Sequence, residues 1–290
     1  MKPAPFDYFR PVSIGEACAF LAANPEARVL AGGQTLIPML AMRLARPSAL
    51  VDVTRMRELT GIDLAGDTLR IGAATTQAEA LDSALVAREA PLLRLALSNV
   101  GHPPTRVRGT IGGSIAHADP SAEIALAATI LGASIVYRDG DEEIRFEPVD
   151  FFIGPTITTA PPSGLLTHVA FPRRPKGRVG AGFREIAARR GDYAVASAGA
   201  QVVLHGDGTC ASIALGVGGV GDVPVNVDLS ELDGTPFAFD RVAGVVAAAL
   251  ADLECVGDLH ATASYRRRAA IQLAMQAIGD AHAVAMEDAA

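Results

Sequence analysis

The chain has no tryptophan, and aromatic residues make up only 5% of its 290 positions. Half of the residues are hydrophobic, with alanine and valine foremost, so any core must be built from small and branched aliphatic side chains. Cysteine is scarce as well. Cys18, Cys210 and Cys255 are too scattered for a disulfide framework or a CxxC metal site, and they read as buried, inert thiols. A [2Fe–2S] centre takes about four thiolates, so this chain has too few to hold one alone. Long apolar runs are also missing, because Gly, Pro and charge interrupt every candidate. The opening stretch, 1–10, has no basic end leading into an apolar segment. Neither a membrane span nor a signal peptide is expected, and the cytoplasm is the expected compartment. A formal net charge of -7 excludes a general nucleic-acid binder, whose affinity would come from neutralising phosphates. The one basic cluster, Arg266-Arg267-Arg268, reads as a solvated helix face or a subunit contact.

Motifs of hydrolytic chemistry are absent too. There is no G-x-S-x-G elbow and no HExxH. His102, His117, His168, His205, His260 and His282 show no metal-ligand spacing. Asp141-Glu142-Glu143 is a charged turn. No catalytic side chain and no metal ligand is assigned, so a cofactor must bring the chemistry.

What is there is a soluble chain with 20% charged residues, punctuated by three Gly/Asp turns between β-prone runs. These predict hairpins at 62–73, 134–146 and 201–216. Helical pattern falls between them, at 14–23 behind Ser13, at 76–83, at 90–98 and at 121–131 before Gly132. Two alanine-rich helices are expected near the end, at 240–253 and from Thr262 to about Ala285. The regular βα alternation of a doubly wound parallel sheet is missing. Boundaries are placed near 52–55 and in the Pro/basic connector 172–176, giving segments 1–54, 55–175 and 176–290.

Two glycine segments stand out. Val29-Leu30-Ala31-Gly32-Gly33-Gln34-Thr35-Leu36 reads as strand, glycine turn and helix start, with Thr35 as a cap. It suits either an anion held by free amides or a tight turn with no ligand. Gly109-Thr110-Ile111-Gly112-Gly113-Ser114 again offers amides and hydroxyls that could wrap a pyrophosphate. After it, Asp119-Pro120 reads as a cap and first helical position, and Glu123 one turn on could accept a ribose hydroxyl. His117 lies within this stretch. Gly216-Val217-Gly218-Gly219-Val220-Gly221 fits G-x-G-x-x-G by letter, but Asp222-Val223-Pro224 follows and no helix can open there.

These two segments, in this order, resemble those of the FAD-binding medium subunits of the xanthine dehydrogenase and carbon monoxide dehydrogenase family. The resemblance covers nearly the whole chain. It runs from Phe6-Asp7-Tyr8-Phe9-Arg10-Pro11 through both glycine segments and Ala116-His117-Ala118-Asp119-Pro120 to Gly191-Asp192-Tyr193-Ala194 and Tyr265-Arg266-Arg267. It implies an α+β fold: two N-terminal α/β lobes of the vanillyl-alcohol-oxidase/PCMH type clasping FAD, then a C-terminal domain of antiparallel sheet and helices. By the same resemblance the cofactor-binding residues are Val29 to Leu36, Val100, Thr110 to Ser114, His117, Glu123, Leu166, Arg184 and Tyr193. Tyr193 would cover the isoalloxazine ring, and Arg184 would bring positive charge beside it. Relatives often have Asp where Glu123 stands, Lys where Arg184 stands, and Asn where Val107 stands.

The implied partners are a large molybdopterin-binding subunit and a small subunit with two [2Fe–2S] clusters, assembled as a dimer of heterotrimers. Electrons would pass through FAD to NAD, a quinone or oxygen. A stand-alone FAD-dependent reductase on the same fold and a flavin-free scaffold are the rival readings.

Overall fold

The computed structural model describes residues 2–288; the outermost positions of the expected first and third segments, 1 and 289–290, lie outside the described residues. The first lobe runs β1 (Asp7–Phe9), α1 (Ile14–Ala23), β2 (Arg28–Leu30), α2 (Leu36–Ala41) and β3 (Ala49–Asp52). Its strands are all parallel, in the order β1-β3-β2. α1 starts where the Ser13 hydroxyl accepts the Glu16 amide, and it buries Ala17, Cys18 and Leu21 against β3 and its neighbours.

The second lobe opens with the hairpin β4 (Ile62–Ala65) and β5 (Thr68–Gly72). Six helices follow: α3 (Gln77–Asp82), α4 (Ala84–Glu89), α5 (Pro91–Asn99), α6 (Pro103–Arg108), α7 (Ile111–His117) and α8 (Glu123–Leu131). The chain returns through β6 (Ser134–Asp139) and β7 (Glu142–Phe146), then α9 (Pro148–Phe151), β8 (Phe152–Gly154), β9 (Ile157–Thr158) and β10 (Leu165–Pro172). The main sheet is antiparallel, in the order β4-β5-β10-β6-β7. From Ile124 to Ile130, α8 is buried all round, the pattern of a helix enclosed on every side.

The last unit is an antiparallel sheet of β11 (Arg178–Ala187), β12 (Ala194–Leu204), β13 (Cys210–Gly218) and β14 (Val225–Val227), with α10 (Phe239–Ala249) and α11 (Ala263–Glu287). α11 lies almost in contact with the sheet backbone. A Cβ at Gly180 would sit 1.9 Å from the Ala281 carbonyl oxygen, and one at Gly182 2.1 Å from that of Ala277. The opposite face of the sheet meets lobe two: Cβ atoms at Gly199 and Gly216 would lie 2.8 and 2.5 Å from Ile130 side-chain atoms.

All three expected hairpins form, and 14–23 is helical as predicted. Other expectations need correction. Asp119-Pro120 does not start a helix: the Asp119 Oδ1 accepts the Ser121 amide in a local turn, and α8 begins at Glu123 behind Ala122. Thr35 precedes α2 but makes no side-chain cap, because its own backbone is already helical (φ -99, ψ -47). The helix expected over 240–253 stops at Ala249. Arg266 is not a solvated residue; 5% exposed, it donates to the Val195 and Gly219 carbonyls and to Asp258. Among the described residues no helix is long and apolar enough to cross a membrane.

Candidate functional site

β2 ends at Leu30, and the chain then turns through Gly32 and Gly33, the latter at φ +70. Only glycine fits the first of these positions. A Cβ on Gly32 would stand 2.2 Å from the Arg108 carbonyl oxygen and 2.7 Å from the Gly109 Cα. The two glycine segments, distant in sequence, are therefore in contact. A Cβ built on Gly113 would likewise lie 3.6 Å from that of Ala31.

The second segment does not offer the free amides expected of it. Ile111 donates to the Thr75 carbonyl, Gly112 to that of Ala73, Gly113 to the Thr110 hydroxyl and Ser114 to the Thr110 carbonyl. All four amides are spent within the protein. Gly112 is needed because a Cβ there would meet Ala73 at 2.5 Å. By contrast, the amides of Gly32, Gly33, Gln34 and Thr35 have no acceptor in the protein among the described residues. The first segment thus presents the donors, while the second presents a closely packed wall.

Tyr193 stands over this junction. The residue is 68% exposed, and its hydroxyl approaches that of Thr35. Partial burial, then the charges of Asp119 and Glu123, push the phenol above its ordinary range. Glu123, the first residue of α8, is pushed up to about 7, chiefly by burial and further by Glu185 and Asp119; its own amide pulls the other way. His117 closes α7, half-buried near the same edge.

Three further expected site residues make contacts of their own. Arg184 does not face the glycine segments. Its guanidinium forms a two-pronged pair with Asp280 of α11, at 2.6 and 3.0 Å. Side chains alternate along a strand, so the residue that β11 turns to the other face is its neighbour Glu185. Leu166 is buried in the core of lobe two. Val100 ends α5 with its carbonyl accepting from Arg106 and its side chain against that same core.

Sequence reasoning missed Glu185 and Ser197. Both carry a buried oxygen with no partner, and they oppose each other directly across β11 and β12. Which face of the sheet they occupy depends on Gly180 and Gly182 lying under α11, a contact that the sequence does not show. Among the described residues no group of three His, Cys, Asp or Glu side chains could hold a metal.

Residues 4–174 match the FAD binding domain in molybdopterin dehydrogenase, and residues 181–281 match the CO dehydrogenase flavoprotein C-terminal domain. The nicotine 6-hydroxylase medium subunit of Paenarthrobacter nicotinovorans is 33% identical over 98% of this chain and 99% of that protein. The carbon monoxide dehydrogenase medium chain of Hydrogenophaga pseudoflava is also 33% identical, over 98% and 99%. Among solved structures, carbon monoxide dehydrogenase from Hydrogenophaga pseudoflava superimposes with a TM-score of 0.93 at 31% identity, over 98% of this chain and 99% of that one. Quinoline 2-oxidoreductase from Pseudomonas putida 86 gives 0.92 at 33%, over 99% and 100%. The chain belongs to the family of FAD-binding subunits of the molybdopterin dehydrogenases.

Proposed function

We propose that this chain is the FAD-carrying electron-transfer subunit of a molybdenum hydroxylase, with FAD held where the two glycine segments meet. One observation carries the placement: Gly32 is closed against Arg108 and Gly109 while the amides around it remain unpaired. Such a turn suits the negative charge of a pyrophosphate, and no Cβ stands in its way. Ser114 follows Gly113, which packs against Ala31 of the first segment, and Tyr193 is set to cover the ring. Bound FAD supplies a redox group that accepts electrons and passes them on. The chain's own residues hold it, orient it and shield one side from water.

With three cysteines, the chain needs a partner to carry iron–sulfur clusters, and substrate oxidation belongs to a molybdopterin-bearing partner. A large and a small subunit fill those roles in this reading, arranged as a dimer of heterotrimers. NAD, a quinone or oxygen takes the electrons away. Cytoplasmic residence accords with free thiols at Cys18, Cys210 and Cys255.

An absorption spectrum of the purified full chain, followed by release and identification of the chromophore, tests the assignment. Bound or rebindable FAD is the expected result. A colourless chain that refuses added FAD would overturn the flavoprotein reading.

A further inference from the structure

Along β11, Gly180, Gly182 and Arg184 face α11, so Ala181, Phe183 and Glu185 face lobe two. Glu185 is paired across the ladder with Ser197 of β12, and Ser197 with Gly218 of β13. Directly opposed residues share a face of the sheet, so this row points at α8. A Cβ on Gly218 would lie 2.9 Å from the Ser197 Oγ and 3.2 Å from the Leu126 Cδ2. Leu126 follows Glu123 by three positions on α8, which places both on one side of that helix. The sheet row and the first turn of α8 thus bring two half-buried carboxyls and one buried hydroxyl to the same junction. Ser197 is 1% exposed, and neither its Oγ nor the Glu185 Oε2 has a hydrogen-bond partner among the described residues.

We propose that Glu123, Glu185 and Ser197 form a proton-binding site linked to the flavin, in which the carboxyls hold a proton more tightly once FAD is seated. This rests on the reading that FAD occupies the junction beneath Tyr193. A buried carboxylate oxygen without a donor disfavours the charged form, and two such groups together disfavour it further. The groups facing the site add no cation. Asp119 and Glu123 come from α8 and its approach, Glu185 from β11, Ser197 from β12 and Tyr193 from the loop between those strands. Arg184 is turned away to Asp280, and Arg266 donates through its terminal nitrogens to two carbonyls and Asp258, its buried Nε having no partner among the described residues. Burial pushes Glu185 up to about 7, the value Glu123 also reaches. FAD brings a doubly negative pyrophosphate and displaces water, and both effects raise a nearby carboxyl further.

The sign follows from linkage. A carboxyl whose pKa rises on binding takes up a proton, so FAD affinity is greatest in acid and falls as pH rises through the free and then the bound value. The test uses the full chain freed of flavin. FAD binding is followed by fluorescence quenching across about pH 6 to 9, and protons are counted by calorimetry in two buffers of different ionisation enthalpy. The expected result is Kd weakening about tenfold from pH 6.5 to 8.5, with net proton uptake on binding. Glu185→Gln, which mimics the protonated carboxyl, should hold Kd near its acid value throughout and abolish the uptake. Ser197→Ala, which replaces the hydroxyl opposite Glu185 with a methyl group and leaves the carboxyl in less polar surroundings, should move the wild-type transition to higher pH. A Kd independent of pH without proton uptake, an unchanged uptake in Glu185→Gln, or an unmoved transition in Ser197→Ala each overturns the proposal. Failure to bind FAD at any pH instead overturns the flavin reading beneath it.

Discussion

At Gly32 the absence of one carbon lets two lobes touch. A methyl group there would stand 2.2 Å from a backbone oxygen of the other lobe, and backbone cannot rotate out of the way as a side chain could. Gly32→Ala should therefore part the two segments, at a cost of about 1–3 kcal/mol in overpacking, and FAD content should fall with it. Chemical denaturation together with flavin absorbance of the purified variant reads both effects; a variant with full FAD content would sink the placement. The same scale shows where a sequence likeness loses resolution. Arg184 and Glu185 are adjacent in the chain, and motif similarity alone favoured the cation. On a strand, a slip of one residue exchanges the two faces, so the choice depends on which neighbours face α11. That is settled by Gly180 and Gly182 lying under the helix carbonyls, a contact between elements that no local pattern encodes.

Among elements, α3 shows how a short helix can be set by its ends and serve the site. The Thr76 hydroxyl accepts the Glu79 amide and the Glu79 carboxylate accepts the Thr76 amide, a reciprocal capping box on a helix of six residues. The same Thr76 forms an isolated bridge with Thr110, and the Gln77 amide donates to the Gly109 carbonyl. Thr76→Ala should cost about 1 kcal/mol in denaturant and loosen the second glycine segment. Weaker FAD retention beside that loss is the expected outcome, whereas a stability loss with unaltered FAD affinity would confine Thr76 to folding. Caps and turns of this kind were readable because their chemistry is local. Ser13, Gly132 and Thr262 end or begin helices where the sequence places them. Asp119-Pro120 carried the same local signature and misled. The Asp119 carboxylate is satisfied two residues on, by the Ser121 amide, and the chain is held there by the Gly219 amide donating to the Pro120 carbonyl. The cap pattern lost to a contact from the third unit.

Across the whole molecule, the sheet of β11 to β13 is shared between two cores. Ala198, Val202, Leu215 and Val217 pack with α10 and α11, while Ala181 and Phe183 join the core of lobe two. α8 spans that junction: Glu123 begins it beside Tyr193, and Ile130 near its other end fills the space left by Gly199 and Gly216. The glycines and the isoleucine are complementary, so lobe two and the last unit pack directly on each other and are not joined by the connector at 173–177 alone. Ile130→Ala should empty that contact, since backbone atoms of the sheet cannot close on it, and cost about 2–5 kcal/mol. Because both cores lose support together, calorimetry should show one transition moved to lower temperature, with its calorimetric and van't Hoff enthalpies still equal. Two separated transitions in the variant or the parent chain would mean that the shared sheet does not couple the units. In that case the row Glu185–Ser197–Gly218 could not be held against Glu123 by packing alone.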